Sequence, residues 1–276
     1  MHRLVKVSVV IPTHGRIAGV QVAVASVLSQ GVEGLEIIVV NDRPQDREEL
    51  DRRFVSLDNR VRLIHNERNI GAPAARNKGI AAAKGEFIAL LDDDDRWLPG
   101  KLPKQLVLLE QNRELGFVSC GYHDEWLGKD RFPEIRGKID RQLLHTFSNI
   151  ETSTVLMRAE LGRRTGEIDV SLPSEQNHDF FYRMAKLARF DYVPEVLVFK
   201  SAPPAQISRS PRKKIVGYVR FHRKHRSDIR SLGIKGSSFI MVKFLVTLVA
   251  FLVFAGNEKY VDTLYEGVLR KFSGKS

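Results

Sequence analysis

Four consecutive carboxylates, Asp92-Asp93-Asp94-Asp95, follow directly on the apolar run Phe87-Ile88-Ala89-Leu90-Leu91. Acids set side by side in a low-dielectric crevice repel one another strongly unless a cation neutralises them, and hard oxygen ligands suit Mg2+ or Mn2+. A divalent ion is therefore the economical reading, and a solvated acidic turn is the plain alternative for such a run taken alone. The apolar run in front favours the ion, because a buried strand delivers whatever follows it to one end of a sheet.

Other segments repeat that arrangement. Val7-Ser8-Val9-Val10-Ile11-Pro12 reads as an interior parallel strand, followed by the loop Thr13-His14-Gly15-Arg16 and by a helix with Val20, Val24, Val27 and Leu28 on one face. Glu36 to Val40 is a second strand that delivers Asn41-Asp42, and Val61 to His65 is a third. Asp46 to Leu57 and Pro73 to Lys84 are the intervening helices. This alternation specifies a parallel α/β sheet with right-handed crossovers, in which ligands bind beyond the carboxyl ends of the strands. Thr13, Asp42 and the acid run all fall there, in one crevice. Arg76, in the segment Asn69 to Gly79, adds a guanidinium that could fork onto phosphate oxygens, and Gly71 permits close backbone approach. Taken alone, Arg76 reads more readily as a surface helix charge and Asp42 as a turn residue.

Composition narrows the classes. A chain of 276 residues with 43% hydrophobic content can bury a full core, and a formal charge of +11 points to an anionic partner without choosing among nucleotide, nucleic acid and acidic membrane. Cys120 is the single cysteine, which excludes an intramolecular disulfide and a thiolate zinc cluster and fits a reducing compartment. Met1 to Lys6 leads into a strand pattern without a secretory apolar region. Nucleic-acid binding rests on charge alone and is not expected. A nucleotidyltransferase is disfavoured because no glycine-rich phosphate loop follows the first strand.

The chain resembles the inverting glycosyltransferase family 2 through Val7 to Thr13, Ser26-Val27-Leu28-Ser29-Gln30, Ile38 to Asp42, Asn69-x-Gly71-x-x-x-Ala75-Arg76-Asn77-x-Gly79 and Leu91-Asp92-x-Asp94-Asp95. Each motif alone is weak, but their order and spacing match over roughly residues 5 to 200. The resemblance implies a GT-A fold: a Rossmann-like, mixed but mostly parallel sheet flanked by helices. It implies that Pro12 and Thr13 lie beside the nucleotide of a sugar donor, whose nucleobase, usually uracil in this family, Asp42 would receive. Arg76 would sit near the diphosphate, Asp94 would be the direct ligand of Mn2+ or Mg2+, and Asp92 or Asp93 would lie near the ribose. His14-Gly15 and Arg43-Pro44 depart from the family's commoner Tyr-Asn and Gly-Ser, which reads as altered loop geometry. Residues 1–205 would form the GT-A domain, its nucleotide-binding half about 1–100 and its acceptor half about 101–205.

In the acceptor half, Leu102, Leu106 and Leu109 mark a helix and Phe117 to Cys120 a strand, while 122–150 reads as a polar acceptor-side loop. Thr154 to Met157 reads as a strand facing Gly166 to Pro173, and Phe190 to Val198 as the last strand. The run Ser174 to Ala185 resembles the family segment whose acid deprotonates the acceptor hydroxyl, yet Asn177 occupies the usual base position, and an amide cannot take that proton. Asp179 or Glu175 could serve instead, with Asp179 preferred here; His178 is a third option, and a donor-binding or scaffold protein without efficient turnover a fourth. Asp179 reads equally as a helix N-terminal acid favoured by the macrodipole. The acceptor would be a glycan, lipid-linked or protein hydroxyl.

Residues 206–276 read as a basic helical appendage carrying Arg212, Lys213, Lys214, Arg220, Arg223, Lys224, Arg226 and Arg230, with His222 and His225 more readily solvated than metal-bound. The apolar segment 239–255, roughly 17 residues against the roughly 20 a spanning helix needs, could span a membrane, lie in its interface or pack as a soluble hairpin. It is apolar on every face from Phe244 to Phe254, which favours attachment to an anionic membrane at its cytoplasmic side.

Overall fold

The computed structural model describes residues 5–54, 58–145, 149–201 and 211–233. The strands are β1 (Val7–Thr13), β2 (Leu35–Asn41), β3 (Val61–His65), β4 (Phe87–Leu90), β5 (Arg96–Trp97), β6 (Leu115–Asp124), β7 (Lys129–Arg131), β8 (Leu156–Arg158) and β9 (Arg189–Lys200). The helices are α1 (Ile17–Leu28), α2 (Arg47–Phe54), α3 (Ala72–Ala82), α4 (Lys101–Gln111), α5 (Asp140–His145), α6 (Ala159–Thr165), α7 (Gln176–Leu187), α8 (Pro211–Lys224) and α9 (Arg226–Arg230). The sheet runs β3-β2-β1-β4-β8-β6-β9-β5, with β7 paired to β6. Its long ladders, β1 with β2, β2 with β3 and β6 with β9, are parallel, whereas the antiparallel ladders are short.

Every residue of β1 is buried because β2 and β4 flank it in parallel and helices cover both faces. One face packs Val9, Ile11, Ile37 and Val39 under Val20, Val24 and Val27 of α1 and Leu102, Leu106 and Leu109 of α4. The other packs Val10, Ile38 and Val40 under α3, then Phe117 and Phe190 under Phe180, Phe181 and Met184 of α7. The chain leaves β1 toward β2 and later returns to β4 on its other side. The β1/β4 boundary is thus the switch point at which a crevice opens beyond the strand ends. Gly79 lets α3 press onto this sheet, since a Cβ there would stand 2.3 Å from Val10 Cγ1.

Two expectations are corrected. Leu156–Arg158 does not face 166–173; it inserts antiparallel between β4 and β6, and Thr152–Thr154 before it forms a 3-10 turn. Residues 122–150 are less irregular than their polarity suggests, because β6 runs on to Asp124 and returns as β7, and α5 follows. The described part of the basic appendage packs on α7: Tyr182 of α7 meets Phe221 and His225 edge-on and donates to Asp228 at 2.7 Å. The segment 239–255 lies outside the described residues, and no helix among the described residues is long and apolar enough to cross a membrane.

Candidate functional site

At the end of β4 the chain turns tightly, with Asp95 N–H donating to Asp92 O at 3.1 Å, and the four acids diverge. Asp92, Asp94 and Asp95 each present one oxygen to a common point, all within 4.8 Å of one another. Asp93 turns away, accepting from Thr13 Oγ1 and from Arg16 Nη1, each at 2.8 Å. Arg16 reaches Asp94 as well, at 2.8 Å. Gly19, in the first turn of α1, makes room for this loop: a Cβ there would lie 2.4 Å from Asp93 O.

The converging group is electrostatically expensive as it stands. Burial, and then Asp92 beside it, pushes the Asp94 carboxyl up to about 6. Burial with Asp92 and Asp94 drives Asp95 well above the usual carboxylate range, despite the hydroxyl of Ser153. Asp93 is also raised by burial, against the opposing pull of Thr13 and Arg16. Three hard oxygen donors sharing one point, with Asp94 and Asp95 resisting ionisation, fit a divalent cation, which would favour the charged form of those two.

The Thr152–Thr154 turn supports the cluster from behind. Ser153 Oγ donates to Asp95 Oδ2 at 2.6 Å and accepts from Asp92 N–H at 3.1 Å, while Ser201 N–H reaches Asp95 Oδ1 at 3.1 Å. The turn is held in place by Trp97 Nε1 on Ser153 O and Gln105 Nε2 on Thr154 O, both at 2.8 Å. Gln105 is itself fixed by the buried Lys101 ammonium at 2.8 Å, which burial pushes down to about 8.

The donor-side residues reach the same crevice. Arg76, buried in α3, donates from Nη2 to Asp92 at 2.5 Å, and its Nε has no hydrogen-bond partner. Pro12 is buried in β1 opposite Val40, and Thr13 O accepts from Asp42 N–H at 2.8 Å, tying the ends of β1 and β2 together. The Asp42 carboxylate accepts from Asn66 Nδ2 and Ile70 N–H at 2.9 Å and from Gly71 N–H at 2.8 Å, which folds the 66–71 loop over the strand end. The unusual loop residues contact each other, since Arg43 lies against Gly15, whose φ of 77° suits glycine.

On the acceptor side, the structure separates the candidates. Asp179 has no exposed surface and is held by Arg183 Nε at 2.8 Å, His225 Nε2 at 2.7 Å and Lys224 Nζ at 3.0 Å. Burial would raise its carboxyl, but these partners outweigh that and hold it at about 2. Glu175 is half-buried at the start of α7 with a left-handed φ of 65°, and His178 Nε2 lies 2.7 Å from Leu143 O. Asn177 points to the cluster's support, donating to Thr152 Oγ1 at 2.5 Å. Thr13, Arg76 and Asp92 to Asp94 thus converge, with Asp42 one hydrogen bond away, whereas Asp179 belongs to the α7–α8 junction. Arg16 and Ser153 complete the site without having been assigned a part in it, and Asp95, read only as one of the acid run, turns out to share the converging point. Asp95 carried a signal, as the fourth acid of the run; Ser153 carried none.

Residues 8–167 match the model of Glycosyl transferase family 2. The putatively named colanic acid biosynthesis glycosyl transferase WcaA of Escherichia coli is 29% identical over 234 residues, covering 80% of this chain and 81% of that one. Among solved structures, S. aureus TarS superposes with a TM-score of 0.65 at 17% identity, covering 89% of this chain and 43% of that one. Its 1–349 fragment with UDP-GlcNAc gives 0.66, covering 90% and 73%. The mannosyltransferase PcManGT of Pyrobaculum calidifontis, with GDP-Man and Mn2+, gives 0.63 at 15% identity, covering 98% and 88%. These likenesses establish the GT-A type of fold.

Proposed function

Since the chain belongs to glycosyl transferase family 2, we propose that this glycosyltransferase moves a sugar from a nucleotide-diphosphate donor, UDP-linked in the first instance, to a hydroxyl acceptor with inversion at the anomeric carbon. The observation that carries the reading is the convergence of Thr13, Arg76 and the acid run at the β1/β4 switch point. The ligands in the TarS and PcManGT structures support a nucleotide-sugar donor. The likeness to WcaA supports an acceptor in polysaccharide synthesis.

Asp92, Asp94 and Asp95 would hold Mn2+ or Mg2+, with Asp94 a direct ligand. Such an ion, when bound, supplies Lewis-acid stabilisation of the departing diphosphate. Arg76 acts beside it: the unpartnered buried Nε leaves a donor for a phosphate oxygen. Asp42 uses three of a carboxylate's roughly four lone-pair sites on its own loop, leaving one for the imide N–H of a uracil. Pro12 and Thr13 flank the nucleotide, and Asp93, locked by Thr13 and Arg16, holds the loop facing the ribose.

We assign the base to Glu175 in preference to Asp179, because Glu175 retains contact with solvent and Asp179 is enclosed by three cations. The α8–α9 surface, with Lys213, Arg223, Arg226 and Arg230 exposed, would rest on an anionic membrane, and 1–205 would be the catalytic domain. Asn177 favours a second reading, donor binding without turnover. Transfer and donor hydrolysis, with UDP-sugars and a membrane extract as acceptor, decide between them. Turnover that EDTA abolishes and Glu175→Gln lowers by roughly a hundredfold supports the first reading; UDP binding with no turnover supports the second.

A further inference from the structure

Beside the acid run, one residue from each of four strands lines up in register. Arg96 on β5 pairs with Phe199 on β9, Phe199 with His123 on β6, and His123 with Asp130 on β7. Directly paired residues share a face of the sheet, so the four side chains form a row. The Arg96 guanidinium lies 3.7 Å above the Phe199 ring, His123 stacks on Phe199 at 5.4 Å with 25° between planes, and Asp130 meets His123 Nδ1 at 2.8 Å. A guanidinium resting over an aromatic ring is restrained in position while N–H donors that do not face the ring stay open. Arg96 is exposed, and among the described residues it makes no ion pair or hydrogen bond with any side chain.

Its position ties it to the site. Asp95 precedes it, and Ser201, which donates to Asp95, lies two residues beyond Phe199. The row lies at the β6-β9-β5 end of the sheet, away from β1, β2 and α3, which carry Thr13, Asp42 and Arg76. An anionic molecule entering from this end meets the acid run and needs a local cation. Arg16 is already committed to Asp93 and Asp94, and Lys200 to Glu151 at 2.9 Å.

We propose that Arg96, resting over the Phe199 ring that His123 in turn stacks against, is an anion subsite on the acceptor side and takes the carboxylate or phosphate of an acidic saccharide. The assignment to the acceptor rests on the donor-binding reading above. The planar fork suits a two-oxygen anion better than an ammonium would.

The test titrates the full chain with methyl β-D-glucuronide, glucose 6-phosphate and methyl β-D-glucoside by saturation-transfer NMR, and titrates UDP with Mn2+ separately. One or both anionic sugars should bind about tenfold more tightly than the glucoside, and the tighter of the two identifies the group. Arg96→Met should erase the preference and Arg96→Lys should restore only part of it, with UDP affinity unchanged in both. Equal binding of all three sugars by the wild type would overturn the proposal. So would a preference that survives Arg96→Met, or a loss in that variant of UDP affinity instead. Failure of the wild type to bind UDP would count against the donor reading and leave the sugar comparison to be read by itself.

Discussion

Asp42 accepts three hydrogen bonds from its own loop, Asp94 faces two other acids, and Asp179 is enclosed by an arginine, a lysine and a histidine. One residue type thus organises a loop, offers a cation site and pins a helix, and the surroundings decide which. Removing one partner from a buried charge cluster leaves the others uncompensated, so Asp179→Asn should destabilise the fold by about 3 kcal/mol in denaturant titration. UDP affinity should change little by comparison. The pH dependence has a definite sign. The folded carboxyl is held at about 2, below its ordinary 3.8, so its contribution is full above 3.8 and is lost as pH falls through 2. Wild-type stability should fall across that acid window more than that of Asp179→Asn, and equal slopes would show that Asp179 does not anchor the junction.

The elements that were legible in the sequence are those whose signal is local. β1, β2, β3 and β4 are short apolar runs closed by turn residues, and their carboxyl ends place Thr13, Asp42 and Asp92 together. Phe87 to Leu91 also announced that the acids after it would be delivered to a strand end. What was not legible depends on distant partners. Nothing local shows that Leu156–Arg158 enters between β4 and β6, and that insertion is what brings Ser153 beneath Asp92 and Asp95. Likewise, nothing local shows that α8 and α9 enclose Asp179 with Lys224 and His225. The supported turn makes its own prediction. Trp97→Phe removes the Nε1 bond to Ser153 O and leaves a buried carbonyl unpaired, at a cost of about 1–3 kcal/mol. The displaced Ser153 should also weaken Mn2+ binding several-fold in calorimetry, whereas unchanged metal affinity would mean the turn does not set the acids' positions.

Across the whole molecule, a charge of +11 is spread over a protein whose proposed chemistry uses a cluster of acids. Part of the excess is on the outer side of α8 and α9, where Lys213, Arg223, Arg226 and Arg230 are exposed. The chain should therefore sediment with vesicles containing phosphatidylserine and be released as salt rises to about 0.5 M, where screening is short-ranged. Equal retention on neutral vesicles would assign attachment to apolar contacts instead. The account as a whole depends on the acids acting through a cation on a nucleotide. Calorimetry of UDP binding to the wild type and Asp94→Ala, each with Mn2+ and with EDTA, tests that most directly. Binding that requires Mn2+ in the wild type and is lost in Asp94→Ala is the expected result; equal UDP affinity in all four titrations would contradict it.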